Sequence, residues 1–394
     1  MKKVAFFSTG IPDPTQGGSG IFNYYFVKRL LEKNILLDCF FRVNSNFLKY
    51  HTHSYHFDIL KKKINSINFV FEKNNGKFLK FGIGLLKAQH HFNICQKTVV
   101  SLKNNYNAYI SLDLGWAMAL DNFDNCLSIL GDPYHAKVLD TLKGKFLSPI
   151  NYYRKLKALS CTSSKTMQYL SSLLNNRKCL GIFSRHHAEE YQGKGINCEL
   201  LDWFSPEVND FNIKKNFFYS KEFNLCHLGD LETTASRKSL DFLENSLEVI
   251  SKIISKKIVI SFVGRFKERK KSLYPNIEFK YLGHVDDLSK ELNKYDALIS
   301  FSDYSAGIRT RIITGLSHGI PCIAHFSASF GLHKLKHGYD ILFCKNSIEF
   351  ANNINMLIND KNLQMKISEN SRISWLKYFN PKTNVDKILK IVNC

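Results

Sequence analysis

The sequence predicts an α/β protein built as two doubly wound domains in series. Apolar runs of strand length alternate with amphipathic helical stretches along most of the 394 residues, which is the pattern of β-α-β units around parallel sheets. The alternation comes as two series separated by a polar, irregular stretch, WFSPEVNDFNIKKNFFYSK at 203–221, which reads as a linker. The length, with 44% hydrophobic residues, suits two cores of roughly 150 to 200 residues each.

Each element has its own reason. VAFFST (4–9) is a short apolar run and predicts the first strand, and GIFNYYFVKRLLEKN repeats its apolar positions at helical spacing. ILLDCFFRV (35–43) predicts a strand, residues 83–102 a helix, AYISLD (108–113) a strand and CLSILGD another. A helix to about Leu142, then ALSCTS and SKTMQYLSSLL, continue the first series. The second runs from EFNLCHLGD (strand) through SRKSLDFLENSLEVISKII (helix), KIVISFVGR and EFKYLGHV (strands) to DDLSKELNKYD (helix). ALISFS (strand), RTRIITGLSHG (helix) and PCIAHF (strand) complete it, and three amphipathic helices fill the last 45 residues. The expected division is 1–205, 206–380, and a final helix at 381–394 packing back on the first domain.

Composition excludes several classes. Eight prolines and 21 glycines argue against a disordered or fibrous chain. The opening MKKVAFFSTGIPDP runs into turn residues with no A-x-A-like site, so it reads as a strand and not as a signal peptide. No apolar run approaches the roughly 18 residues of a membrane span. The ten cysteines form no C-x-x-C pair and no cluster at metal spacing, which fits packing cysteines in a reduced cytoplasmic protein. The net charge of +21 is uneven: residues 1–200 hold 27 basic and 13 acidic side chains. A field of that sign attracts anionic partners: a phosphorylated substrate, a membrane leaflet or nucleic acid. No recognition helix or basic-aromatic ladder accompanies it, so no nucleic acid is expected.

In open α/β sheets the ligand lies beyond the carboxyl ends of the strands, so the loops there are the candidate sites. STGIPDPTQGGSG ends in Gly18, Ser19 and Gly20 against the first helix, expected to begin near Ile21, whose start offers N–H groups to an anion. It matches neither the dinucleotide fingerprint nor a P-loop. Asp113 follows the strand AYISL, and Asp132 follows CLSIL with His135 close behind. These groups could orient or deprotonate an acceptor hydroxyl. Asp132 could equally cap the next helix behind Pro133.

In the second series two helix starts carry cations where the helix dipole favours anions. Arg237 and Lys238 follow HLGDLETTAS, and Arg309, Thr310 and Arg311 follow Gly307. Two such starts in one domain suggest a shared diphosphate.

The order HLGDLETTASRK, IEFKYLGHVDDLSKELNKYDALISFS, GIRTRIITGLSHGIPCIA and GLHKLKHGYDILFC resembles the C-terminal domain of GT-B glycosyltransferases of the GT4 type (group 1). The opening VAFFSTG with GGSGIFNYYFVKRLLEKN resembles their first strand and glycine loop. The resemblance implies a GT-B fold, two Rossmann-like domains facing a central cleft with C-terminal helices. It implies transfer of a sugar from a nucleotide sugar, a UDP- or GDP-sugar, bound on the C-terminal domain, to an acceptor on the N-terminal one.

By the resemblance Arg237, Lys238, Gly307, Arg309, Thr310 and Arg311 hold the donor diphosphate. Neutralising the departing diphosphate in this way calls for no metal and no further cofactor. Gly18, Ser19, Gly20 and Thr314 are the expected donor sugar and nucleotide contacts. If the reaction inverts the anomeric centre it needs a base, for which Asp132 or His135 is expected with Asp113 behind them; the sequence leaves retention or inversion open. The family commonly has two glutamates eight residues apart, the second five residues before the Gly of G-x-P. This chain has Ala306 and Thr314 there. That departure leaves open an altered donor, other ribose contacts such as the Thr314 hydroxyl, or an inactive, scaffold-like member. The expected partners are a nucleotide sugar, a glycan or lipid-linked acceptor and an anionic membrane surface. The expected setting is the cytoplasm, peripheral on the inner face of the plasma membrane, in bacterial surface polysaccharide, LPS or capsule synthesis.

Overall fold

The structure is a computed structural model. It describes residues 1–15, 17–44, 54–72, 84–120, 122–131, 179–193, 195–204, 221–231, 234–266, 269, 271–301 and 307–393. The chain forms two compact units, Met1–Asp202 with Pro381–Cys394, and Trp203–Asn380.

The first unit contains β1 (Lys3–Thr9), α1 (Gly17–Glu32), β2 (Leu36–Asn44), α2 (Tyr55–Lys61), β3 (Ser66–Glu72), α3 (Gly84–Val99), β4 (Ala108–Leu112), α4 (Leu114–Ala119), β5 (Cys126–Leu130), β6 (Leu180–Ile182), α5 (Arg185–Gln192) and β7 (Glu199–Leu200). Among the described residues the strands form one parallel sheet in the order β3-β2-β1-β4-β5-β6-β7. β1 is central and has successive buried aromatics, because helices cover both faces of the sheet. Phe6 packs on Phe26 of α1 at 5.3 Å, while Phe7 faces the other way onto Phe40 at 4.7 Å and Trp116 at 5.0 Å. Burying each such ring contributes about 1.5–3 kcal/mol. The order reverses between β1 and β4, the switch point of this sheet.

The second unit contains β8 (Glu222–Leu228), α6 (Thr234–Ile253), β9 (Lys257–Val263), β10 (Ile277–Gly283), α7 (Leu288–Leu292), β11 (Ala297–Ser300), α8 (Thr310–Ser317), β12 (Cys322–His325), β13 (Leu342–Cys344), α9 (Ser347–Asn359) and α10 (Lys361–Tyr378). Its described strands form a parallel sheet in the order β10-β9-β8-β11-β12-β13, with the switch point between β8 and β11. One face of the sheet buries Leu225, Ile260, Phe301 and Phe350, and the other Leu298, Ile312, Leu316 and Trp375. Caps fix the helix ends: Asn346 accepts from the Glu349 N–H at the start of α9, and Asp360 from that of Leu363 at the start of α10. α8 stops where Gly319 turns to φ 61° and Ile320 N–H returns to the Gly315 carbonyl at 3.0 Å. The last helix, α11 (Pro381–Ile391), belongs to the first unit, where it lies on α1 and Lys387 pairs with Asp202 at 2.9 Å.

The eight described cysteines are unpaired thiols, mostly buried. Among the described residues no helix is long and apolar enough to cross a membrane.

Candidate active site

In the second unit the loops after β8 and β9 run together beside the switch point, and Arg311 of α8 reaches them. β8 ends in Cys226-His227-Leu228 and continues into Gly229 at φ 124°; β9 continues into Gly264 at φ 134°. Both glycines are forced. The Gly264 φ lies in a region L side chains rarely adopt, and a Cβ there would stand 2.3 Å from the Gly229 carbonyl oxygen. Without side chains, the two loops run in contact: Gly229 N–H reaches the Val263 carbonyl and Leu231 N–H that of Arg265. The neighbouring carboxylate, Asp230, is taken by Arg265, whose Nε lies 3.1 Å away.

Arg311 lies against this glycine surface. Its Nη2 would be 3.2 Å from a Cβ placed on Gly229, and its Nη1 lies 2.8 Å from His227 Nε2. His227 is buried on β8, and burial together with the Arg311 charge pushes its basicity well below the ordinary histidine range. The ring is therefore neutral and accepts from Arg311, which places its own proton on Nδ1. Burial first, then the nearby Arg309, lowers Arg311 to about 10. A guanidinium whose charge is disfavoured in the empty protein is poised to gain from an arriving anion.

The sequence expectation put Arg309, Thr310 and Arg311 together in the first turn of a helix. The structure keeps Thr310 and Arg311 in that first turn and makes Arg309 the residue just before it. α8 begins at Thr310; Arg309 is its N-cap, with no side-chain capping bond, and Arg311 turns back to β8. Gly307 sits just before, at φ 75°. Thr314, offered as a ribose contact, is only 4% exposed, and its hydroxyl donates to the Thr310 carbonyl at 3.1 Å. Arg237 and Lys238 lie on α6, the helix that follows β8, as its fourth and fifth residues; their side chains lie outside the described residues.

In the first unit the strand ends carry a polar cluster at the other switch point. Arg42, near the end of β2 and 4% exposed, donates to Thr9 Oγ1 at 2.9 Å and to Asp113 Oδ2 at 3.1 Å. The Thr9 hydroxyl donates to the same oxygen, and Asp113 Oδ1 accepts the N–H groups of Gly115 at 2.8 Å and Trp116 at 3.2 Å. Asp113 is held at φ 98° as the N-cap of α4, a conformation costly for a residue other than glycine. Both its oxygens are occupied by donors, so the geometry is that of a fixed anion at a strand end. Gly18, Ser19 and Gly20 lie inside the first turn of α1, which begins at Gly17 and not near Ile21 as the sequence suggested. Ser19 is exposed and Gly20 buried. Asp132, His135 and Ala306 lie outside the described residues.

Sequence reasoning missed His227, Arg42 and Thr9. A signal for the first two was present: each interrupts an apolar strand, EFNLCHL and ILLDCFFRV, with a group that must find a partner when buried.

Residues 222–360 match the family model described as Glycosyl transferases group 1. No curated protein matches the chain by sequence. Among solved structures, HepE from Anabaena in complex with UDP superposes with a TM-score of 0.63 at 15% identity, covering 100% of both chains. TarM from S. aureus, in complex with fondaparinux, α-GlcNAc-glycerol and UDP, gives 0.64 at 12% identity, again over 100% of both. The lipopolysaccharide outer core galactosyltransferase WaaB gives 0.63 at 11% identity over 99% of both. Two parallel sheets, each flanked by helices, give the chain the two-domain fold of these GT-B glycosyltransferases, and residues 222–360 carry the group 1 match.

Proposed function

We propose that this chain moves a sugar from a UDP- or GDP-sugar to a glycan or lipid-linked acceptor in bacterial surface polysaccharide synthesis. The carrying observation is Arg311, held by a neutral histidine against Gly229 at the β8/β11 switch point. In the reaction the bond between the anomeric carbon and the diphosphate oxygen breaks as the acceptor hydroxyl attacks. The nucleoside diphosphate leaves with the bonding pair, and the hydroxyl proton departs. Arg309 and Arg311, with Arg237 and Lys238 on α6, stabilise the negative charge of the leaving group without a metal. In the first unit Asp113, fixed by Arg42 and Thr9, orients the acceptor, and Asp132 or His135 takes the proton if the configuration inverts. HepE with UDP and WaaB as a lipopolysaccharide galactosyltransferase support the donor and acceptor classes.

The test is incubation with a panel of UDP- and GDP-sugars, reading release of UDP or GDP. Slow hydrolysis of one donor, accelerated by an acceptor glycan, is expected. Binding without release from any donor would instead favour a non-catalytic GT-B scaffold, a reading prompted by Thr314, whose hydroxyl is bonded to its own helix where the family pattern has a glutamate.

The cytoplasmic, inner-leaflet setting is part of the proposal and rests on the excess of basic residues over 1–200, each worth about 1 kcal/mol beside an anionic leaflet. Flotation with phosphatidylserine vesicles at low and high salt tests it: salt-sensitive co-flotation is expected, and protein left at the bottom at both salts contradicts it.

A further inference from the structure

We infer that His227 is a positioning residue for the donor diphosphate, aiming the Arg311 guanidinium without cancelling its charge. The inference rests on the donor-diphosphate reading of Arg311 and adds a residue to it.

His227 occupies a buried position of β8, one residue before Leu228 and two before Gly229. An apolar side chain there would complete the strand, so the imidazole costs desolvation unless it makes a bond. It does: Nε2 accepts from Arg311 Nη1 at 2.8 Å. The contact joins β8 to α8, 84 residues apart in sequence, on the two sides of the switch point. The ring lies beside that of Phe262 on β9, with centroids 5.9 Å apart.

The chemistry of this acceptor matters. A free arginine side chain must lose rotamer entropy before it binds, and a bond made in advance removes part of that cost. A carboxylate at 227 would also hold the guanidinium, but it would neutralise it and compete with the diphosphate for the same N–H groups. A neutral imidazole supplies one lone pair and no charge. The Arg311 guanidinium keeps its charge and the planar fork that suits phosphate oxygens.

Gln and Met separate the role from packing, since both are unbranched and similar in length while only Gln supplies an acceptor. Calorimetric titration of the full chain with UDP and GDP, and with uridine and guanosine, is the experiment. His227→Met is expected to weaken the better nucleoside diphosphate roughly tenfold, the usual effect of losing a bond to a charged group. Affinity for the matching nucleoside stays unchanged, and His227→Gln recovers most of the loss. His227→Phe, which keeps a ring beside Phe262, replaces the Met variant if the latter does not fold. Equal losses for nucleoside and diphosphate, or no recovery with Gln at wild-type melting temperature, overturn the inference. An unaffected His227→Met together with a weakened Arg311→Met overturns it while sparing the donor reading. An unaffected Arg311→Met overturns both.

Discussion

Replacing Arg311 by methionine is expected to weaken nucleoside diphosphate binding roughly 30- to 150-fold, the loss of about 2–3 kcal/mol from a charge-assisted bond to phosphate. The apo protein should lose little stability, because removing the buried charge offsets the cost of leaving His227 Nε2 without its donor. In the empty protein the guanidinium lies under burial and beside Arg309, both of which lower it to about 10. Methionine fills similar space without that charge. Binding should therefore fall far more than stability, which a structural arginine would not show. Calorimetric titration beside a melting curve reads both. Unchanged affinity with a large drop in melting temperature would make Arg311 a packing residue. Arg309, at the N-cap of α8, should cost binding less when changed to Ala, since Arg311 is the residue bonded to His227 on β8.

Gly264→Ala should be the most destabilising single substitution near this site. A Cβ there meets the Gly229 carbonyl oxygen at 2.3 Å and its carbon at 2.6 Å, and both are backbone atoms that cannot rotate aside. The φ of 134° adds its own strain. Overpacking and backbone strain each cost about 1–3 kcal/mol, so roughly 2–6 kcal/mol is expected. That is a large part of a typical domain's stability. Gly283→Ala is the control: φ is 73° but a Cβ would meet open space, so only the conformational strain, about 1–2 kcal/mol, should appear. Denaturant midpoints of the two variants beside the parent settle the comparison. Similar losses at both positions would mean that the contact between the two loops adds nothing.

What was legible in the sequence was the part carried by burial. β1 and β9 are nearly continuous apolar runs because their sheets are covered on both faces, and α8 announced its end through Gly319, Ile320 and Pro321. β3 was not legible. SINFVFE is an edge strand with half-exposed residues, Phe71 is 50% exposed, and its period is weak. β6 and β7, with three and two residues, are too short to show a pattern. α1 begins four residues earlier than Ile21 because Gly17 to Gly20 carry no helical signal of their own.

The candidate site was readable as positions and not as partners. Gly307, Arg309 and Arg311 stand out because cations oppose the helix dipole. That Arg311 reaches back to His227, or that Arg42 ties Thr9 to Asp113, depends on strands far apart in sequence. No local period encodes such a pairing. The only trace is a polar residue inside an apolar strand, which shows that a partner exists and not which residue it is.

Thermal unfolding of the full chain with UDP, GDP, ADP and CMP tests most directly whether the second unit binds a nucleoside diphosphate at Arg311. One of the diphosphates at 100 times its dissociation constant should add about 2.7 kcal/mol and raise the melting temperature, and the Arg311→Met variant should lose that rise at the same concentration. A melting temperature unmoved by all four nucleotides, or an equal rise in the Met variant, would contradict it.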